Sequence, residues 1–218
     1  DTGGKDLVGA PGEKVTDGLD GLLERLFEYR DLGLQFTKWR ALITIGSNIP
    51  SRYCIDVNAH ALARYAALSQ EAGLVPIIEP EVLMDGDHGI ARCHEVTESV
   101  LREVFYALGQ QGVNLEGALL KPNMVLSGNS AVNRANPDEV AEMTISCFKR
   151  VVPAAVPGVV FLSGGQSDEE ATANLDAINK HGTEVGVPWE LSFSYGRGLQ
   201  AAPLKAWAGN VKNVEKYR

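Results

Sequence analysis

Hydrophobic positions along the chain recur at two spacings that alternate from end to end. Short runs rich in branched and aromatic residues are typical of strands, and longer segments with apolar residues three or four positions apart are typical of helices. Five strands are predicted over residues 38–45, 75–83, 117–121, 158–163 and 189–195. Helices are predicted over about 16–33, 58–72, 93–108 and 136–150, from 167 onward, and over 199–208, while residues 2–5 resemble a loop.

Two of the helix boundaries carry a chemical signal of their own. The hydroxyl of Thr16 can cap the first helix, and Gly33 can end it. Asn136 is a capping residue followed by Pro137, which is favoured at the first helical position. These signals support the alternation of strands and helices.

Strands separated by helices predict an α/β fold with a parallel sheet. A doubly wound sheet and a (β/α)₈ TIM barrel both fit this order. Neither GxGxxG after a strand nor GxxxxGK[ST] occurs, so the two common nucleotide sites lack support. Because a helix comes before the first of five strands in 218 residues, we expect a single domain, residues 1–218, that is an incomplete barrel.

Charge and cysteine content narrow the classes of partner. The formal net charge of −8 argues against nucleic acid, whose phosphates would be repelled. The three cysteines lie far apart without a CxxC pair, so a zinc knuckle or disulfide framework is not expected, and a reducing, cytoplasmic setting fits best. No run approaches the ~20 apolar residues that span a bilayer, so no membrane partner is expected.

Lys121 stands at the carboxyl end of an apolar run and is followed by Pro122, which ends the strand. A lysine there would lose the solvation of its ammonium form and be partly neutral near pH 7. A neutral amine can attack a carbonyl and form a Schiff base. The alternative is a lysine that extends from the strand end into solvent.

Alternation along the strands places further charges with Lys121. Lys38 and Arg40 share one face of the first strand, while the residues between them can pack under helices. Glu79 and Glu81 share one face of the second strand. A surface ladder of salt bridges is the alternative, but apolar residues flank the glutamates on both sides. Charges on the same side of three consecutive strands favour an active site.

Glycines after the last two strands suggest a phosphate site. Ser163, Gly164 and Gly165 follow the fourth strand, and Gly196 with Arg197 follows the fifth. In (β/α)₈ barrels the loops after the last two strands commonly bind phosphate through backbone amides and a helix N-terminus. Arg197 could add a charge-assisted contact. The alternative is a pair of ordinary strand-to-helix turns.

The segment Asp85-Gly86-Asp87-His88 is a weaker candidate, for a metal site. It offers a single histidine on a turn and no second histidine at ligand spacing. No resident metal is therefore expected.

Five segments resemble the signature blocks of class I fructose-bisphosphate aldolases. They occur in the order and spacing of that family and cover the chain from end to end: FTKWR (36–40), IEPE (78–81), LLKPNM (119–124), FLSGGQS (161–167) and FSYGR (193–197). The resemblance implies a (β/α)₈ barrel, of which this chain would carry strands four to eight. The first three strands and the family's C-terminal tail would lie outside it.

The resemblance also implies a reaction, the reversible cleavage of fructose 1,6-bisphosphate to dihydroxyacetone phosphate and glyceraldehyde 3-phosphate without metal or other cofactor. By resemblance, Lys121 would form the Schiff base and Glu79 would transfer protons, with Glu81 as the neighbouring carboxylate. Burial and the adjacent Glu81 would both help Glu79 to keep a proton. Lys38 would lie near the reacting carbons, and Arg40 near the second phosphate.

The same resemblance assigns the first phosphate of the substrate to Ser163, Gly164, Gly196 and Arg197. Sugar phosphates are then the small-molecule partners, and a homotetramer is the expected assembly. Two alternatives stay open at this point. One is another Schiff-base barrel aldolase, of the transaldolase or deoxyribose-phosphate type. The other is a catalytically silent fragment that binds sugar phosphate or serves as an interaction module.

Overall fold

The structure, a computed structural model, describes residues 3–214 apart from the side chain of Arg197. Seven strands lie within this range: β1 Gly3–Asp6, β2 Lys14–Asp17, β3 Phe36–Ile43, β4 Val75–Val82, β5 Leu119–Leu120, β6 Gly158–Phe161 and β7 Glu190–Phe193. Six α-helices lie within it too: α1 Leu22–Asp31, α2 Arg52–Glu71, α3 Ile90–Gln110, α4 Pro137–Val151, α5 Asp168–Val185 and α6 Gly196–Trp207.

The main sheet has the order β3-β4-β5-β6-β7, with every neighbouring pair parallel. A helix separates each strand from the next along the chain. A doubly wound sheet would reverse its strand order at a switch point, whereas sequential neighbours are the order of a (β/α)₈ barrel. The predicted α/β class and barrel architecture are confirmed, with five consecutive strands of a barrel in the described residues.

A hairpin that the sequence did not predict precedes this sheet. β1 and β2 pair antiparallel, so residues 3–5 belong to a strand and the predicted loop there is wrong; Thr2 lies outside the described residues. Thr16 belongs to β2 and does not cap a helix, because its hydroxyl donates to the carbonyl of Arg40. Gly18 and Gly21 have φ angles of 121° and 63°, which interrupt any helix, so α1 begins only at Leu22.

Other predicted boundaries shift by a few residues. α2 begins at Arg52 and not near 58, because the hydroxyl of Ser51 caps it by accepting from the amide of Cys54. β5 is limited to Leu119–Leu120, since a short 3₁₀ turn precedes it and Pro122 follows. The predicted start of α4 is confirmed, with Asn136 and Glu139 forming a capping box around a proline.

The core lies between the sheet and the helices on its outer face. Trp39, Ala41 and Ile43, the residues of β3 that alternate with the predicted cations, are almost fully buried there, as predicted. Tyr65 of α2 stacks on Trp39, and the rings of Phe148 and Phe161 stack between α4 and β6. This packing leaves the opposite face of each strand to carry polar side chains. Within residues 3–214, no helix is both long and apolar enough to cross a membrane.

Candidate active site

The carboxyl ends of the barrel strands open onto a cavity of about 480 Å³. Eight of the predicted site residues line it: Lys38, Arg40, Glu79, Glu81, Lys121, Ser163, Gly164 and Gly196. The side chain of Arg197, the remaining predicted residue, lies outside the described part of the chain. The structure thus brings together eight residues that alternation and turn patterns selected between Lys38 and Gly196.

Strand register explains how the charges meet. Arg40 lies opposite Glu79 in the ladder between β3 and β4, and Lys38 lies opposite Ile77. Each cation reaches diagonally along β4, so that Lys38 contacts Glu79 and Arg40 contacts Glu81. Because alternate side chains of a strand point to the same face, all four charges lie on the cavity side of the sheet.

Lys121 is held at the boundary between β4 and β5. Its backbone amide donates to the carbonyl of Ile78 at 2.8 Å, and its side chain is only 12% exposed. The Nζ atom lies 3.3 Å from Oε1 of Glu79. The extension of Lys121 into bulk solvent, which was the alternative, is wrong. The amine instead lies against a buried carboxylate.

Glu79 is buried, with a side chain 5% exposed, and lies between two amines. Its Oε2 atom lies 3.0 Å from Nζ of Lys38, close enough for an ion pair. The angles at this contact do not fit a hydrogen bond, and Oε2 accepts none from the described residues. An oxygen with this arrangement has a lone pair available for a proton.

Arg40 and Glu81 form the second ion pair of the cavity, between the guanidinium Nε and the carboxylate Oε2. Burial of the guanidinium opposes its charge, but the hydrogen bond and charge of Glu81, together with the charge of Glu79, outweigh it and raise the pKa of Arg40. Glu81 is 5% exposed and Arg40 is 43% exposed. The cation therefore remains accessible from the cavity.

The charges of this cluster do not cancel. Lys38, Arg40 and Lys121 carry three positive charges against the two carboxylates of Glu79 and Glu81. The surplus of one positive charge would attract an anionic ligand into a cavity on a chain whose formal net charge is −8.

The turn after β6 is built on two glycines. Gly164 and Gly165 have φ angles of 61° and 93°, in the region that glycine adopts most easily. Gln166 closes the turn, since its backbone amide and its side-chain Nε2 both donate to the carbonyl of Ser163, at 3.1 and 2.8 Å. Asn174 in turn donates to Gln166 Oε1 at 2.7 Å. Ser163 and Gly164 are thereby held on the cavity wall.

The N-terminus of α6 opens onto the same cavity. Gly196 is the first residue of this helix, and a Cβ atom placed there would meet nothing within 4 Å. Free backbone amides and the helix dipole favour an anion at such an end. With the turn after β6, this gives a site on one side of the cavity that suits a phosphate.

Sequence reasoning missed two residues of the lining, Leu162 and Ser194. Ser194 lies two positions before Gly196 and could have been found by extending the alternation of β7 by one step. It also missed Asn123, which is buried two residues beyond Lys121. A polar residue after a proline gives no signal of burial in the sequence.

The segment from Asp85 to His88 does not form a cluster of ligands. Asp85 and Asp87 are exposed, and no three His, Cys, Asp or Glu side chains converge on one point within residues 3–214. His88 is half-buried, and this burial lowers the pKa of its imidazole. The negative charge of Asp87 opposes the shift but is the smaller effect.

Comparison with known proteins places these observations in a family. The family "Fructose-bisphosphate aldolase class-I" matches residues 1–218. A probable fructose-bisphosphate aldolase class 1 from Xanthomonas campestris is 58% identical over 211 residues, covering 97% of this chain and 62% of the relative. The cytosolic fructose-bisphosphate aldolase 4 of Arabidopsis thaliana is 53% identical over 216 residues, covering 99% of this chain and 54% of the relative.

A solved structure agrees with the sequence relatives. A crystal structure of fructose-bisphosphate aldolase from Plasmodium falciparum, in complex with TRAP and a small-molecule inhibitor, superposes with a TM-score of 0.93 at 48% identity. The match covers 99% of this chain and 62% of the Plasmodium chain. The chain therefore spans 54–62% of the length of these relatives. It belongs to the class I fructose-bisphosphate aldolase family.

Proposed function

We propose that this chain carries the Schiff-base site of a class I fructose-bisphosphate aldolase, which reversibly cleaves fructose 1,6-bisphosphate to dihydroxyacetone phosphate and glyceraldehyde 3-phosphate. The observation that carries this proposal is the mostly buried amine of Lys121, 3.3 Å from Glu79 in a cavity with surplus positive charge. The family and its named relatives support the same reaction.

Lys121 is the nucleophile. Once it passes its proton to Glu79, its nitrogen attacks the ketose carbonyl carbon, and a proton moves from that nitrogen to the carbonyl oxygen, which gives a carbinolamine. Glu79 then donates a proton to the departing hydroxyl, which leaves as water and yields an iminium ion. The position of Glu79 beside the lysine nitrogen, with one oxygen free of hydrogen bonds, suits this transfer.

The iminium ion draws electrons from the adjacent carbon–carbon bond. That bond breaks as the hydroxyl on the far carbon loses its proton, giving glyceraldehyde 3-phosphate and an enamine on Lys121. Glu79 is a carboxylate after the dehydration step and can accept this proton. Protonation of the enamine and hydrolysis of the resulting iminium release dihydroxyacetone phosphate and regenerate the amine. Glu81 holds Arg40 in place and adds to the field around Glu79.

Phosphate recognition takes place at two ends of the cavity. Ser163, Gly164, Gly196 and Arg197 would bind the first phosphate, through backbone amides, the hydroxyl and the guanidinium. Lys38 and Arg40 would face the reacting carbons and the second phosphate; their side chains are 42% and 43% exposed toward the cavity. Binding both phosphates would hold the carbonyl carbon against Lys121.

The iminium serves as the electron sink, so we propose that no metal or other cofactor takes part. Residues 1–218 would form one partial barrel domain. Sugar phosphates would be its ligands, a homotetramer its assembly and the cytoplasm its location; the cytosolic relative from Arabidopsis thaliana supports the last of these.

Incubation of the purified protein with fructose 1,6-bisphosphate tests the proposal, with a coupled assay for triose phosphates and calorimetry for binding. Production of both triose phosphates, lost in Lys121→Met and retained in Lys149→Met on the exposed face of α4, is the expected result. Binding without cleavage would indicate a silent sugar-phosphate module and would contradict the proposed reaction. Turnover of monophosphate sugars alone would indicate another Schiff-base aldolase.

A further inference from the structure

Asn123 is a buried polar residue with no role in the chemistry above. Its side chain is hydrogen-bonded at both ends although the residue is only 4% exposed. The Oδ1 atom accepts from the backbone amide of Val82 at 3.0 Å. The Nδ2 group donates to the hydroxyl of Thr97 at 3.1 Å and to the carbonyl of Met124 at 3.0 Å. This satisfies both groups of the amide, as a rigid buried connection requires.

The backbone alone cannot hold β4 and β5 together at this level. The two strands pair over only two residues each, and beyond them Lys121 donates to Ile78. Continuing the same register by two residues sets Pro80 opposite Pro122, and proline has no backbone donor. The side chain of Asn123 replaces the missing bond by accepting from the next free amide of β4.

The side chain of Asn123 is itself fixed by α3. Thr97 and Cys93 lie one turn apart on this helix and are 1% and 2% exposed. Cys93 Sγ lies 3.9 Å from Asn123 Nδ2 and accepts from the amide of Leu126 at 3.4 Å. The segment that follows Lys121 is therefore attached to α3 at two points.

We propose that Asn123 is a positioning residue, which with Thr97 fixes the end of β5 against the end of β4 and so sets the distance between Lys121 and Glu79. Its catalytic consequence rests on the proposed function, because it acts through the Schiff-base lysine. The geometric consequence does not. Removal of the amide lets the Lys121 segment move relative to Glu79, and a misplacement of about 1 Å can slow a reaction ~100-fold.

The test compares four variants of the intact protein. Asn123→Ala removes the side-chain amide. Thr97→Val removes the hydroxyl to which Asn123 donates and keeps a similar side-chain volume. Thr97→Ser keeps the hydroxyl and is the conservative rescue. Asn58→Ala is the matched control, because Asn58 is a 2% exposed amide that links α2 to the carbonyl of Lys14, away from the cavity.

Asn123→Ala is expected to lower kcat and the rate of borohydride trapping of dihydroxyacetone phosphate by roughly 10- to 100-fold, with KM changed much less. Thr97→Val should show part of this loss and Thr97→Ser little of it. Asn58→Ala should lower the melting temperature, as Asn123→Ala does, and leave kcat and trapping unchanged. Equal kcat in Asn123→Ala and Asn58→Ala would overturn the inference.

A second measurement needs no turnover and separates the two proposals. Reductive methylation with formaldehyde and cyanoborohydride, followed by mass spectrometry, gives the rate at which the Lys121 amine is modified. We expect this rate to rise severalfold in Asn123→Ala, since the amine leaves Glu79, and to stay at the wild-type value in Asn58→Ala. If the wild-type protein cleaves nothing, the proposed function fails, but the methylation rates still decide the positioning role of Asn123. An unchanged methylation rate of Lys121 in Asn123→Ala would refute it.

Discussion

The Nζ atom of Lys38 lies 3.0 Å from Oε2 of Glu79, across the boundary between β3 and β4. Because Lys121 approaches the same carboxylate from β5, one buried glutamate is shared by two amines on different strands. The negative charge of Glu79 is thereby divided between them. Any change at Lys38 should consequently be felt at Lys121, even though no bond between the two lysines is involved.

Lys38→Met should therefore slow the reaction without unfolding the protein. The substitution cancels the surplus positive charge that would attract the substrate, and it removes one of the two amines that contact Glu79. We expect kcat/KM for fructose 1,6-bisphosphate to fall about 100-fold, as for loss of other preorganised charges. Lys149→Met on the exposed face of α4 is the control. Unchanged kcat/KM in Lys38→Met would contradict the shared role of Glu79.

Removal of Arg40 should destabilise the fold through the partner it leaves behind. Arg40→Ala strands the carboxylate of Glu81, which is 5% exposed, without its cation. We expect a loss of about 1–3 kcal/mol in the free energy of unfolding, kept modest because solvent can reach the guanidinium side. The double variant Arg40→Ala/Glu81→Gln should recover part of this loss in urea unfolding. If the effects of Arg40→Ala and Glu81→Gln on the free energy of unfolding simply add in the double variant, the two residues are not coupled.

The alternating faces of β3 and β4 could be predicted from sequence because a strand repeats every two residues. Lys38, Arg40, Glu79 and Glu81 followed from that rule alone. Asn123 could not be predicted, since its burial depends on partners in α3 and β4 that only the folded chain brings near.

The hairpin of β1 and β2 could not be predicted for a related reason. Thr16 before an apolar run matches the local signal of a helix cap, but its hydroxyl instead reaches the backbone of β3, and two nearby glycines turn the chain. A capping signal in the sequence is reliable where the side chain bonds to a neighbouring amide, as at Asn136. It fails where the side chain bonds to a distant part of the chain, as at Thr16.

The three cysteines should be unreactive in the folded protein. All are free and buried, and burial raises the pKa of the Cys54 and Cys147 thiols to about 12 and also raises that of Cys93. Iodoacetamide at pH 8 should therefore label the protein only after it is unfolded. Rapid labelling of the native protein, with its activity retained, would contradict the buried positions.

The same thiols make stability depend on alkaline pH. Because the pKa of each thiol is higher in the folded state, its contribution to the free energy of unfolding is complete below the pKa of an unfolded cysteine, about 8.5. This contribution is lost as pH rises from there toward the pKa of the folded state. Cys147→Ala should therefore show a fall in unfolding free energy between pH 8 and pH 10 that is smaller than that of the wild type by about 1–2 kcal/mol. The same pH dependence in both proteins would count against this assignment.

A chelator should leave the cleavage reaction intact. In the proposed reaction, the iminium formed on Lys121 would accept electrons from the breaking bond, so a Lewis-acidic metal would not be needed for this step. EDTA is expected to leave kcat unchanged in a coupled assay whose auxiliary enzymes need no metal. Loss of activity that zinc restores would instead assign a metal to the segment from Asp85 to His88.

We propose that one nitrogen, Nζ of Lys121, becomes covalently bonded to substrate. Borohydride reduction in the presence of dihydroxyacetone phosphate, followed by proteolysis and mass spectrometry, locates the bonded lysine directly. We predict a reduced adduct on the peptide that contains Lys121 and on no other lysine, and no adduct in Lys121→Arg, whose guanidinium stays protonated. An adduct on a different lysine, or one that persists in Lys121→Arg, would contradict the account.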